Sequence, residues 1–123
     1  MKTTLIENKK KVKIPIYSGN MFIHLVENWK GLNKEFHFDP KLDNSMDGCV
    51  FTSSKKDGCT EFHIAFKGTP SNSLIAHESV HMVNSIFKHC LIDLDLDNDE
   101  PQAYLTEWVF EEVEQFFEEL RLK

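Results

Sequence analysis

The stretch SNSLIAHESVHMVNSIFK, residues 71–88, sets the architecture that the rest of this 123-residue sequence has to fit. Its aliphatic and aromatic residues recur at helical spacing around most of the circumference, which is typical of a central, largely buried helix. Ser71 and Ser73 are both candidates for the N-cap, because a serine hydroxyl accepts hydrogen bonds from the free N–H groups of a first turn. We therefore expect a helix that ends at about Lys88, with the other elements packed around it.

Two histidines interrupt this helix at the spacing of a metal site. His77 and His81 lie in the sequence HESVH (77–81), and residues four positions apart share one face of a helix, so both imidazoles can reach one ion. Glu78 lies about 100° further round the helix, where its carboxylate can reach a metal-bound water and act as general base. Zinc is the expected ion, since it accepts two imidazoles and a carboxylate and keeps a fourth position for water. The alternative is two unrelated histidines on a narrow polar stripe.

A third ligand is required to complete such a site, and the next predicted helix offers carboxylates. Glu100 lies 19 residues after His81, which leaves enough chain for a loop and a return. We predict Glu100 as the third ligand, with Asp99 and Glu107 as alternatives. Tyr104 follows Glu100 by one turn, so its hydroxyl either stabilises an oxyanion, holds Glu100, or simply packs between helices.

A hairpin is predicted directly before the central helix. Asp57-Gly58 is a strong tight-turn signal between two β-rich runs, residues 49–54 and 60–67. The even-numbered residues of the second run share one apolar face, whereas His63 belongs to the other face, where we expect it at the surface.

Earlier and later segments complete the predicted elements. Residues 12–17 (VKIPIY) and 21–26 favour strands, residues 27–36 a short helix, and residues 37–47 a loop. A last helix is expected to begin near Pro101, since proline suits a first turn, and to run to the C-terminus. The sequence thus predicts an α+β fold, in which a mixed sheet of about four strands packs against the HExxH helix and a long C-terminal helix.

Composition and charge exclude several classes of function. Hydrophobic residues make up 41% of the chain, enough for the core of one domain over residues 1–123. The net charge of −6 argues against a nucleic-acid partner, and residues 93–123 alone carry 11 acidic and 2 basic residues, which we interpret mainly as a solvated helix face. No membrane span or signal peptide is recognisable, and three cysteines at no metal-like spacing fit a reducing cytoplasm.

The segment SLIAHESVHMVNSIF (73–87) followed by DNDEPQAYLTEWV (97–109) resembles a known family. It is similar to minimal zincin-like metallopeptidases of the gluzincin type that bacteriophages encode, and to short intracellular HExxH peptidases that cleave phage-type repressors. The resemblance covers about half the chain. It implies a small mixed sheet beside the active-site helix, zinc held by His77, His81 and Glu100, and Glu78 as general base and acid. Larger gluzincins close their cleft with a second domain, which we do not expect here.

These observations predict a zinc-dependent peptidase that acts on a peptide or protein substrate in the cytoplasm. An extended substrate is expected to pair with an exposed strand edge at about residues 60–67. The alternative is a non-catalytic phage accessory or binding protein in which the metal only stabilises the fold. A further alternative is metal-assisted hydrolysis of another bond, because HExxH does not specify the bond that is cut. The sequence makes no prediction of oligomeric state.

Overall fold

Four strands form one mixed sheet in the computed structural model, which describes residues 7–122. The strands are β1 (Glu7–Lys13), β2 (Asn20–Val26), β3 (Gly48–Ser54) and β4 (Thr60–Lys67), in the spatial order β1-β2-β4-β3. β2 and β4 are parallel, whereas the β1–β2 and β3–β4 pairs are antiparallel. The sheet therefore has β1 and β3 at its edges.

Three helices cover the two faces of this sheet. They are α1 (Lys30–Phe36), α2 (Asn72–His89) and α3 (Glu100–Arg121). Helices α2 and α3 pack on the face that carries Met21, Ile23 and Ile64, and together they bury the main core. The smaller apolar cluster lies on the other face, beneath α1 and the loop that follows it. Its buried members are Val26, Trp29, Leu32, Cys49 and Ala65.

Most of the predicted elements are confirmed. The α+β architecture, the four-stranded mixed sheet and the long C-terminal helix are all present. Ser71 caps α2 by accepting a hydrogen bond from the Leu74 N–H at 3.1 Å, and α3 begins at Glu100 with Pro101 in its first turn. The glutamates of α3 are exposed or half-exposed, as expected of a solvated face, and Glu119 pairs with Lys10 of β1 at 3.0 Å.

The prediction of a strand over residues 12–17 is wrong in its placement. β1 ends at Lys13, and the next residues turn sharply, with the Tyr17 N–H donating to the Pro15 carbonyl at 2.6 Å. Ile16 adopts a left-handed φ of 68° in this turn, which a strand does not allow. β1 is instead built largely from lysines, and the ammonium of Lys9 lies 5.8 Å from the Phe22 ring centroid. The aliphatic part of a lysine side chain packs on apolar surface, so a strand rich in lysine is not recognisable from its hydrophobicity pattern.

Two expectations about the hairpin also need correction. β4 (Thr60–Lys67) is paired on both sides, with β2 and with β3, so it presents no exposed edge to a substrate. The available edge beside α2 is β3. His63 is not a surface residue either, because only 3% of it is exposed. Its strand is central and α1 covers that face, and neither fact is visible in strand periodicity.

The loop between α1 and β3 is held by hydrogen bonds at its C-terminal end, next to β3. The Trp29 indole N–H donates to the Met46 carbonyl at 2.9 Å, and the Lys67 N–H donates to the Asp47 carbonyl at 2.9 Å. These bonds hold the entrance to β3 beside α2. Within residues 7–122, no helix is both long and apolar enough to cross a membrane.

Candidate metal centre

His77 and His81 form an exposed pair on α2. Their Nε2 atoms lie 3.3 Å apart, because positions i and i+4 stack on one helix face. Two nitrogens that are each about 2.0–2.1 Å from a zinc ion lie about 3.3–3.4 Å apart at the tetrahedral angle. The observed separation therefore fits two imidazoles that share one zinc ion. The other coordination positions of that ion would face away from α2.

Glu78 lies between this pair and the sheet. Only 6% of the residue is exposed, although it belongs to a residue type that is seldom buried. Burial raises the pKa of its carboxyl group, and the nearby imidazoles of His77 and His81 oppose that shift. A carboxylate with a raised pKa beside a metal-bound water is well suited to accept and return a proton near neutral pH.

Gly48, the first residue of β3, makes room for this carboxylate. A Cβ atom at position 48 would lie 3.1 Å from Glu78 Cγ and 3.3 Å from Glu78 Oε2. These distances are shorter than ordinary van der Waals contacts, so a side chain at position 48 would push Glu78 aside. The glycine thus allows the edge strand to approach the proposed base closely.

A cleft of about 580 Å³ runs between the start of β3 and α2. Gly48, Cys49 and Val50 line its strand side, and His77, Glu78 and His81 line its helix side. The cleft is a surface groove with an apolar strand wall and a polar helix wall. A ligand that lies along β3 would therefore pass directly beside the histidine pair.

Cys49 is the residue of this cleft that the sequence analysis does not predict. It is 9% exposed, and burial together with the charge of Glu78 raises the pKa of its thiol to about 12. Its position in the hairpin is visible in the sequence, but the contact between this end of β3 and α2 is a tertiary feature. Its neighbours Gly48 and Val50 face α2, whereas the Cys49 side chain packs in the smaller apolar cluster on the α1 side of the sheet, so its thiol is directed away from the histidine pair.

The carboxylates predicted as third ligands lie outside the cleft. Glu100 and Tyr104 line a separate, largely apolar groove beside Tyr17, and Asp99 and Glu107 line another groove on α3. Tyr104 is 66% exposed. Among residues 7–122, no three His, Cys, Asp or Glu side chains are grouped closely enough to hold one ion. The structure thus brings the two histidines and Glu78 together, but not Glu100.

Comparisons with models of known protein families, with curated proteins and with solved structures found no match to this chain. Two neutral imidazoles at this separation are good ligands for Zn²⁺ and for neighbouring divalent transition metals. A carboxylate next to them can exchange a proton with water, and the open strand edge can hold a chain-like ligand.

Proposed function

We propose that the protein is a zinc-dependent metallopeptidase of the minimal zincin-like type. The observation that carries this proposal is the 3.3 Å separation of the His77 and His81 Nε2 atoms, with the buried Glu78 carboxyl group beside them. A pair of helix histidines alone would suit any metal site. The buried glutamate adds a proton acceptor, which a purely structural metal site does not need.

The proposed reaction is hydrolysis of a peptide bond. His77 and His81 would hold the zinc ion, which would lower the pKa of a water and polarise a carbonyl oxygen. Glu78 would take the proton from the attacking water. Glu78 then returns this proton to the leaving amine, which completes general base and general acid catalysis by one residue.

The edge strand β3 supports a peptide or protein as the substrate. The Lys55 N–H bonds to the Cys59 carbonyl at 2.8 Å, and the Lys67 N–H bonds to the Asp47 carbonyl at 2.9 Å. Because backbone groups alternate in an antiparallel ladder, these two bonds direct the N–H and C=O groups of Gly48 and Val50 away from β4. An extended peptide could add to this edge and place a carbonyl beside the histidines.

The third protein ligand remains part of the proposal. The sequence favours Glu100, whereas Cys49 lines the cleft but packs its side chain on the α1 side of the sheet. Glu100 is the first residue of α3 and directly follows the exposed acidic segment Asp93–Asp99. Metal binding by Glu100 would require that the first turn of α3 lies closer to His77 and His81 in the metal-bound protein.

A non-catalytic, metal-stabilised binding protein is the second candidate. The separation of Glu100 from the cleft leaves the catalytic site one protein ligand short of three, although a closed structural zinc site would need four. The two candidates differ in turnover rather than in metal content. In the peptidase, removal of Glu78 abolishes hydrolysis and leaves metal binding intact.

Metal analysis of the purified protein tests the proposal. We expect about one zinc ion per chain after dialysis against a low zinc concentration, and none in His81→Ala. His37→Ala is a matched control, since His37 is exposed at the end of α1, outside the cleft. A wild-type protein that neither carries nor binds zinc would refute both candidate functions.

A further inference from the structure

A second polar cluster lies on the α1 side of the sheet, remote from the histidine pair of α2. It consists of Ser53 on β3, His63 on β4 and His24 on β2. His63 Nε2 lies 2.8 Å from Ser53 Oγ, and His63 Nδ1 lies 2.8 Å from His24 Nε2. One chain of hydrogen bonds thus joins a half-buried hydroxyl to two buried imidazoles across three neighbouring strands.

The two bonds of His63 fit a base that is held in one tautomer. If Nδ1 carries the proton and donates to His24, then Nε2 is free to accept the proton of the Ser53 hydroxyl. Burial lowers the pKa of His24 to about 4 and that of His63 to about 3, and the charge of Lys9 on β1 acts in the same direction. Both rings are therefore neutral at pH 7, so Nε2 of His63 is unprotonated, and the lowered pKa also makes this ring a weaker base than a free imidazole.

Aromatic rings fix the position of His63. The Phe51 ring stacks on it at a centroid distance of 4.5 Å, Phe22 stacks at 5.1 Å, and Phe36 meets it edge-on at 5.0 Å. All three phenylalanines are half-buried, and Phe51 lies two residues before Ser53 on the same face of β3. A small apolar group bound there would lie next to the serine hydroxyl.

We propose that Ser53 is a second nucleophile, independent of the metal cleft, which accepts an acyl group from an ester with an apolar acyl chain. A nucleophile bonded to a base, with the base oriented by a third group, is the arrangement that activates serine in covalent catalysis. Ser53 Oγ forms a bond to the ester carbonyl carbon, and the bond from that carbon to the leaving oxygen breaks. The hydroxyl proton passes to His63 Nε2 and then to the leaving oxygen.

The backbone beside Ser53 is consistent with this role. The Lys55 N–H points towards β4, where it donates to the Cys59 carbonyl. Because N–H directions alternate along an antiparallel strand, the Ser54 N–H points away from β4. A donor on the residue after the nucleophile is a common part of an oxyanion site. Ser54 lies on the opposite face of the sheet from His63, so its hydroxyl cannot transfer a proton to that ring. The reactivity of Ser54 is therefore a control for that of Ser53.

Acylation by p-nitrophenyl hexanoate tests this inference on the full chain. We expect a burst of about one equivalent of p-nitrophenolate per chain, and a hexanoyl group on Ser53 by peptide mass spectrometry. General-base assistance typically contributes 10²–10⁴-fold when the pKa of the base lies near the working pH, so with the lowered pKa of His63 we expect Ser53 to react roughly tenfold faster than Ser54. Ser53→Ala is expected to lose the burst, whereas Ser54→Ala keeps it.

Chelation separates this inference from the proposed peptidase function. Because the Ser53 cluster contains no part of the metal cleft, the burst should be unchanged in EDTA, and Glu78→Gln should react like the wild type. Equal modification of Ser53 and Ser54, or a full burst in Ser53→Ala, would overturn the inference. An acyl group found only on histidine would overturn it as well, since free imidazoles also react with activated esters.

Discussion

Gly48 and Glu78 approach each other so closely that a single added methyl group would collide with the proposed catalytic base. A Cβ atom at position 48 would lie 3.1 Å from Glu78 Cγ and 3.3 Å from Glu78 Oε2. No comparable crowding surrounds Gly31 in α1, where an added Cβ would have no neighbour within 4 Å. The pair of glycines therefore offers a matched test of how precisely Glu78 is positioned.

We predict that Gly48→Ala lowers kcat for peptide hydrolysis without removing zinc. The added methyl group would displace the Glu78 carboxylate by a few tenths of an ångström and leave His77 and His81 in place. A misplacement of about 1 Å can cost on the order of 100-fold in rate, so we expect this smaller shift to cost less than that. Steady-state kinetics and zinc content measure the two effects separately. Gly31→Ala should retain the wild-type kcat, and a normal kcat in Gly48→Ala would contradict the positioning of Glu78 by this contact.

Glu78→Gln is predicted to retain zinc and lose hydrolysis. Glutamine has nearly the same shape, but its amide cannot accept a proton from water, so kcat should fall by at least about 100-fold. Zinc titration and a peptide-library assay give the two readouts. Glu114→Gln is the control, because Glu114 is an exposed residue of α3 outside the cleft. Retained hydrolysis in Glu78→Gln would exclude Glu78 as the base.

The identity of the third ligand can be tested by two substitutions. Loss of an outer-shell partner alone typically costs about 10–100-fold in metal affinity, so loss of a direct ligand should cost at least about 100-fold. We expect this loss in Glu100→Gln and not in Cys49→Ser, as measured by competition with a zinc chelator. Unchanged zinc affinity in Glu100→Gln would refute Glu100 as the ligand. Circular dichroism establishes that both variants remain folded.

The sequence predicts a structural feature well when all the residues that determine it lie in one helix or one turn. The spacing of His77 and His81, the Ser71 cap and the Asp57-Gly58 turn are each local, and the structure agrees with all three predictions of local structure. These patterns depend only on helix and turn geometry, so they survive any tertiary arrangement.

The features that sequence reasoning missed depend on how elements pack. The burial of His63 requires a central β4 and a covering α1, and the position of Gly48 against Glu78 requires β3 at the sheet edge beside α2. The groove that Glu100 lines depends on the direction in which α3 leaves the loop after α2. Hydrophobic periodicity gives the faces of an element but not its neighbours, so none of these contacts follows from the sequence.

The buried imidazoles predict a loss of stability in acid. The folded-state pKa values of His24 and His63, about 4 and about 3, lie below the unfolded value of 6.5. Burial is the main cause, and the charge of Lys9, together with that of His24 acting on His63, adds to it. The unfolded chain therefore binds more protons than the native protein below pH 6.5. Stability is fully present above that pH and falls as the pH decreases towards 4.

Urea unfolding at pH 7 and pH 4 measures this effect. Each pKa unit corresponds to about 1.4 kcal/mol, so we expect the free energy of unfolding to be lower at pH 4 by at least about 2 kcal/mol. Carboxylates also respond to acid, and His63→Gln isolates the histidine contribution, because its stability difference from the wild type should shrink at pH 4. His37→Gln, at an exposed histidine, should follow the wild type at both pH values. If His63→Gln does not fold, the ring proton signals of His24 and His63 in the wild type should stay constant between pH 7 and pH 5.5, and titration of either ring in that interval would contradict the prediction.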